Sequence, residues 1–136
     1  GNEPYTLVIF SQIEGNIKEV RWTGKKADLN TFDATQPRIW SSATLYSDDV
    51  IAEREAWFTT FLGEKETTSE SVLHFHHFGG KGDEQNDIKM NRAGVLKTVA
   101  ITQFEKNGGK FVIHYEDLTA QKTTKLRIGK PFSLSI

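Results

Sequence analysis

A chain of 136 residues without cysteine offers no disulfide, no thiolate metal site and no cysteine nucleophile. Its 17 Lys and Arg stand against 18 Asp and Glu in scattered order, which argues against the basic stripe of a nucleic-acid reader and the polybasic helix of a membrane-surface protein. No apolar run approaches the ~20 residues a spanning helix needs, and the composition, 37% hydrophobic, suits one domain over residues 2–136 in a cytoplasmic setting, which the lack of cysteine favours.

Gly1 reads as a remnant of expression, and a strand already apolar at Tyr5 suggests the cut end of a longer protein. Tyr5–Ser11 is a continuous apolar run and predicts a buried strand. Turn chemistry at Glu14-Gly15-Asn16 leads into a second strand over 17–23, forming a hairpin. A weaker, more polar strand follows at 26–33, before Gln36-Pro37. Ser47-Asp48-Asp49 places an oxygen-bearing cap and two carboxylates at the positive end of a helix. Val50, Ile51, Arg54, Trp57, Phe58, Phe61 and Leu62 recur there at helical spacing. This predicts the longest helix over 47–62, with Gly63 as its C′ residue. Val50, Trp57, Phe58, Phe61 and Leu62 should be its buried face, leaving Glu53, Glu55 and Thr60 in water.

A second, shorter helix starts at Thr68-Ser69-Glu70, carries Val72, Leu73, Phe75 and Phe78, and stops at Gly79-Gly80. A polar loop at 81–87 precedes a short strand at 88–90 and a turn at Asn91-Arg92-Ala93-Gly94. Strands over 95–104 and 110–116 flank Asn107-Gly108, whose residues both tolerate positive φ and so signal a tight hairpin. Edge strands are expected at 125–128 and 132–136, with Pro131 off any central ladder. Three strands, two helices and a β-meander give an α+β class, a mostly antiparallel sheet with the two helices on one face.

Chemistry-bearing candidates are few. His74 and His77 stand three apart on a helix while His76 points elsewhere, and no His-Glu-x-x-His pattern accompanies them. Asp83 and Asp87 lie within loop reach of a metal site; the plainer reading makes one histidine a helix-end partner and leaves the others exposed. No metal and no cofactor is expected. Gly79-Gly80-Lys81-Gly82 has the composition of a phosphate loop but leaves a helix C-terminus, where the dipole repels anions. In 37–46 an Arg-Ile-Trp strand-like run enters a hydroxyl-rich bend. Arg38, Trp40, Ser41 and Ser42 are therefore candidate binding residues, joined by His76 or Arg92. Ser41 and Ser42 lack a nucleophile elbow and also have a simple turn-bonding reading.

Several segments in order resemble the C-terminal half of bacterial NRDE-family proteins, kin of the eukaryotic transport-and-Golgi-organization proteins. They are Pro4-Tyr5-Thr6-Leu7-Val8, Glu19-Val20-Arg21-Trp22-Thr23-Gly24, the run from Pro37 to Tyr46, and Arg54-Glu55-Ala56-Trp57-Phe58. Phe75-His76-His77, Gly82-Asp83, Met90-Asn91-Arg92 and Thr98-Val99-Ala100-Ile101-Thr102 complete the series. The resemblance implies half of an N-terminal-nucleophile (Ntn) αββα sandwich, with a Met-Cys start supplying the nucleophile and an Asn-Arg-Asp-Glu motif. Neither occurs here; Asn91-Arg92 continues as Ala93-Gly94. No catalytic residue is carried over, so this chain by itself is expected to be inactive, with the missing N-terminal half or a second copy as partner. A non-catalytic carrier of lipid or haem with an aromatic pocket, and a structural dimerisation module, are the rival readings.

Overall fold

The computed structural model describes residues 3–42 and 44–129. The strand expected at 132–136 and Pro131 lie outside them. The fold is α+β, and every described strand pair is antiparallel, in sheets of three, two and three strands. The chain divides into two compact units, Gly1–Phe58 and Thr59–Ile136. No described helix is long and apolar enough to cross a membrane.

In the first unit β1 (Tyr5–Ser11), β2 (Asn16–Trp22) and β3 (Ala27–Asp33) form a meander in sequence order. Gly15 provides positive φ (64°) in the first turn. Thr23 closes the second, its hydroxyl accepting from the backbone N–H groups of Lys25 and Lys26 at 3.4 and 3.2 Å. The register sets Val8, Glu19 and Asn30 side by side, so they share one face with Thr6, Phe10, Arg21 and Phe32. Tyr5, Leu7, Ile9, Val20, Trp22 and Leu29 share the other. The strand expected to be buried is not: Leu7 is 48% and Phe10 61% exposed. A continuous apolar run reads as a strand covered on both faces, but β1 is the edge of a three-stranded sheet.

α1 (Asp48–Glu64) opens with Asp48 and Asp49 in its first turn, and the Ser47 carbonyl accepts from Ile51 N–H at 3.0 Å. Glu55 and Thr60 are exposed as expected, but Glu53 is half-buried. Val50, Trp57, Phe58, Phe61 and Leu62 are half-buried too, and the side chain taken furthest from water is Arg54. The stripe forms one face of the helix but is only half-buried, it includes Glu53, and its best-buried member is its cation. Gly63 does not end the helix, because its φ is not positive and α1 runs through Glu64.

In the second unit α2 (Ser69–Phe78) is started by a reciprocal capping box between Thr68 and Ser71 and lies against β6. Phe75 of α2 stacks on Phe61 with ring centroids 4.9 Å apart. Residues 88–90 are not a strand, although Ile88 and Met90 are buried. The short ladder is instead β4 (Asn91–Arg92) on β5 (Leu96–Lys97), turned by Ala93 and Gly94 at φ 53° and 74°. β6 (Ala100–Asn107), β7 (Lys110–Asp117) and β8 (Lys122–Ile128) form the last meander. Asn107 pairs with Lys110, so the turn centres on Gly108-Gly109, at φ 55° and 82°, one residue later than expected. Two glycines meet two positive φ angles more cheaply than Asn-Gly.

Candidate functional site

Glu19 is the organising residue of the first unit. It stands mid-strand on β2 and is only 3% exposed. Burial pushes its carboxyl up, but hydrogen bonds from Asn30, Trp40 and Arg21, with the charge of Arg21, outweigh it and hold the group below the usual carboxylate range. Both oxygens are matched. Oε1 accepts from Asn30 Nδ2 at 2.9 Å and Arg21 Nε at 3.1 Å; Oε2 accepts from Trp40 Nε1 at 2.7 Å and Arg21 Nη2 at 3.3 Å. The indole bond fixes Trp40 against the Thr6–Val8 face of the sheet. Ser41, next in sequence, accepts from Arg54 Nε at 3.0 Å. Arg54, 7% exposed, lies 4.3 Å from the centroid of the Tyr46 ring.

Trp40, Ser41 and Ser42 border an open cleft of about 330 Å³ together with Pro4, Tyr5, Thr6 and Val8. No charged side chain lines it; the charges stand behind the wall and position it. Chemically this cleft presents aromatic and aliphatic surface and four hydroxyl-bearing residues, Tyr5, Thr6, Ser41 and Ser42. Ser41 Oγ accepts from a guanidinium, which cannot take a proton from it, so the arrangement aims the hydroxyl without activating it.

The other sequence candidates fall elsewhere. Arg38 lies over the Phe32 ring at 3.5 Å and does not border the cleft. His76 donates through Nδ1 to the Val72 carbonyl at 2.8 Å and lines a groove of the second unit. Arg92 donates to the Gln85 carbonyl at 3.1 Å. Glu19 and Arg54 were not singled out as site residues; the available signal was a carboxylate centred on a strand and a cation centred on an apolar helix stripe.

The histidine cluster disperses. His74 packs on Phe78 at 4.7 Å, while His77 meets Glu116 Oε2 at 2.5 Å and His114 meets Oε1 at 2.8 Å. The His114 hydrogen bond is the largest influence on Glu116 and, with His77 and both charges, holds its carboxyl low against burial. Among the described residues no group of three or more His, Asp or Glu is placed to hold a metal ion. The phosphate-like loop is filled from within. Asp87 accepts from the N–H groups of Lys81 and Gly82 at 2.9 and 3.0 Å, and a Cβ at Gly80 would lie 2.1 Å from its carboxylate. No family model, no curated protein and no solved structure matches the chain.

Proposed function

We propose that this chain is the C-terminal half of an NRDE-family, Ntn-hydrolase-like protein, acting in the cytoplasm, and that its Trp40–Ser41–Ser42 cleft is a wall of a small-molecule binding site. The observation that carries the binding reading is the wiring of two adjacent wall residues to buried charges, Trp40 to Glu19 and Ser41 to Arg54. Buried charges are costly unless every lone pair is matched, and here the matching fixes the wall. The ligand class is a molecule that lays an acyl or aromatic body in the cleft, with hydrogen-bonding groups for the hydroxyls and any charged group left outside in water, since no charged side chain lines the wall. The nucleophile of the whole protein comes, on this reading, from the upstream half, and this chain alone does not hydrolyse.

Titrating the protein with fatty acids, acyl-CoA and haem while following tryptophan emission tests the binding reading. Saturation weaker than about 1 mM, only some 4 kcal/mol, overturns it, as does an unchanged response in Trp40→Phe. The family reading is tested separately by the upstream reading frame: a start without Met-Cys and without Asn-Arg-Asp-Glu removes it. A dimerisation module is the second reading, favoured by the open apolar face of β1 and β3, where Leu7, Ile9 and Leu29 are 48%, 46% and 65% exposed.

A further inference from the structure

The second unit contains a groove with a different logic. Its volume is about 410 Å³, and its walls are six consecutive strand residues, Ile101 to Lys106, and the flank of α2 carrying Val72, Leu73 and His76, with Thr67, Thr68 and Ser69 at the helix start. Among the described residues β6 is an edge strand, since the sheet order is β6-β7-β8. Asn107 and Lys110 close a two-residue turn and so exchange both ladder hydrogen bonds. Antiparallel pairs alternate from there: Glu105, Gln103 and Ile101 turn their backbone groups to β7, while Lys106, Phe104 and Thr102 turn theirs outward. The bond from Leu118 N–H to the Val99 carbonyl, 2.9 Å, keeps the same alternation. Among the described residues no strand pairs with that outer edge.

α2 runs antiparallel to β6. Gln103 Nε2 reaches the Ser69 carbonyl at 2.6 Å near the helix start, and His77 reaches Glu116, the partner of Ile101, near its end. An unpaired strand edge beside a helix flank is the geometry in which an extended peptide adds as a further strand, its main chain bonding the edge and its alternate side chains meeting the helix.

We propose that the groove between α2 and β6 captures an extended peptide segment of another polypeptide by strand addition to Thr102, Phe104 and Lys106. Val72 and Leu73 select aliphatic side chains on the helix-facing side. His76 donates to the Val72 carbonyl through Nδ1, so Nε2 of the neutral ring accepts, and a hydroxyl-bearing residue fits opposite it. On the other face Lys106, which makes no ion pair among the described residues, selects an acidic residue at the hairpin end, beside Phe104, 61% exposed. This reading is independent of the cleft in the first unit.

The test uses the whole chain and two capped hexapeptides, Glu-Val-Thr-Val-Thr-Thr and its reverse, because the edge accepts a strand in either direction. One of them should saturate, and amide exchange at Thr102, Phe104 and Lys106 should slow at least about tenfold while Gln103 and Glu105 change little. N-methylation of that peptide at its second and fourth residues, or at its third and fifth, should divide the outcome: one pair loses at least about tenfold in affinity and the other binds like the parent. Phe104→Pro, which deletes an outward N–H and spares the ladder, should lose binding to the same extent. No saturation by either peptide below about 1 mM, equal binding by both methylated forms, or edge protection that rises with protein concentration without peptide, which assigns the edge to a second copy, overturns the proposal.

Discussion

Among the described residues the second unit takes Phe75, Ile88, Met90 and Ile101 out of water, whereas the first takes out Glu19 and Arg54. Apolar burial is non-directional and scales with area, so the second unit should answer mainly to lost volume. A buried charge is tolerable only when its lone pairs or hydrogens are matched, so the first should answer mainly to lost partners. The same sheet architecture, a three-stranded antiparallel meander, is thus fixed in one unit by packing and in the other by directed bonds. The candidate cleft belongs to the second kind of construction, where a side chain's position is set to within a hydrogen-bond length.

The largest effect expected is at Phe75. Truncation to Ala removes a buried ring stacked on Phe61 and should cost about 3–5 kcal/mol in denaturant melts. A loss below about 1 kcal/mol would erase the contrast from the apolar side. On the polar side, Trp40→Phe keeps most of the ring and deletes one donor to a buried carboxylate, an expected cost of about 1–3 kcal/mol. If Trp40→Phe matches the wild type in melts and in ligand response, the indole bond neither holds the first unit together nor shapes its cleft.

How much of this was legible follows from sequence distance. Thr68, the apolar positions of α2 and Gly79 are neighbours along the chain, and their helix was read with its ends in place. The β1–β2 hairpin was read from its turn residues and the apolar run before them. The partners of Glu19 are Asn30 and Trp40, 11 and 21 residues away; Ser41 and Arg54 are 13 apart, and His77 and Glu116 are 39 apart. No periodicity or local motif encodes such pairings, so Trp40, Ser41 and Ser42 stand out in the sequence as candidates while the charges that aim them do not. The bend at 41–42 drew attention by its hydroxyls, and Arg38, in the same run, was grouped with it although its guanidinium turns to Phe32.

Acid separates the hydrogen-bonded carboxylates of Glu19 and Glu116 from the rest of the fold. Glu19 and Glu116 are both held below the ordinary glutamate range, near 4.3 in an unfolded chain. A depressed folded-state value means that their contribution is present above that range and is lost as pH falls through the lower, folded value. Stability should therefore decline below about pH 4.3, and Glu19→Gln, less stable at pH 7, should show a shallower decline. Urea midpoints compared at pH 7 and in acid check this; parallel curves would show that Glu19 is not linked to folding.

The smallest effect has the most informative sign. α1 is the element that both units share, since Phe58 closes one and Thr59 opens the other. Gly63 lies in its last turn without positive φ, and a Cβ there meets nothing within 4 Å. Alanine loses less backbone freedom than glycine on entering a helix, so Gly63→Ala should stabilise by about 0.5–1 kcal/mol. Were Gly63 instead a left-handed C′ residue, as its place after Leu62 suggests from sequence alone, the same change would strain the backbone and destabilise. A thermal melt reads the direction directly: a rise keeps α1 continuous through Glu64, and a fall ends it near Leu62, leaving Phe61 at a frayed terminus and weakening its stacking on Phe75.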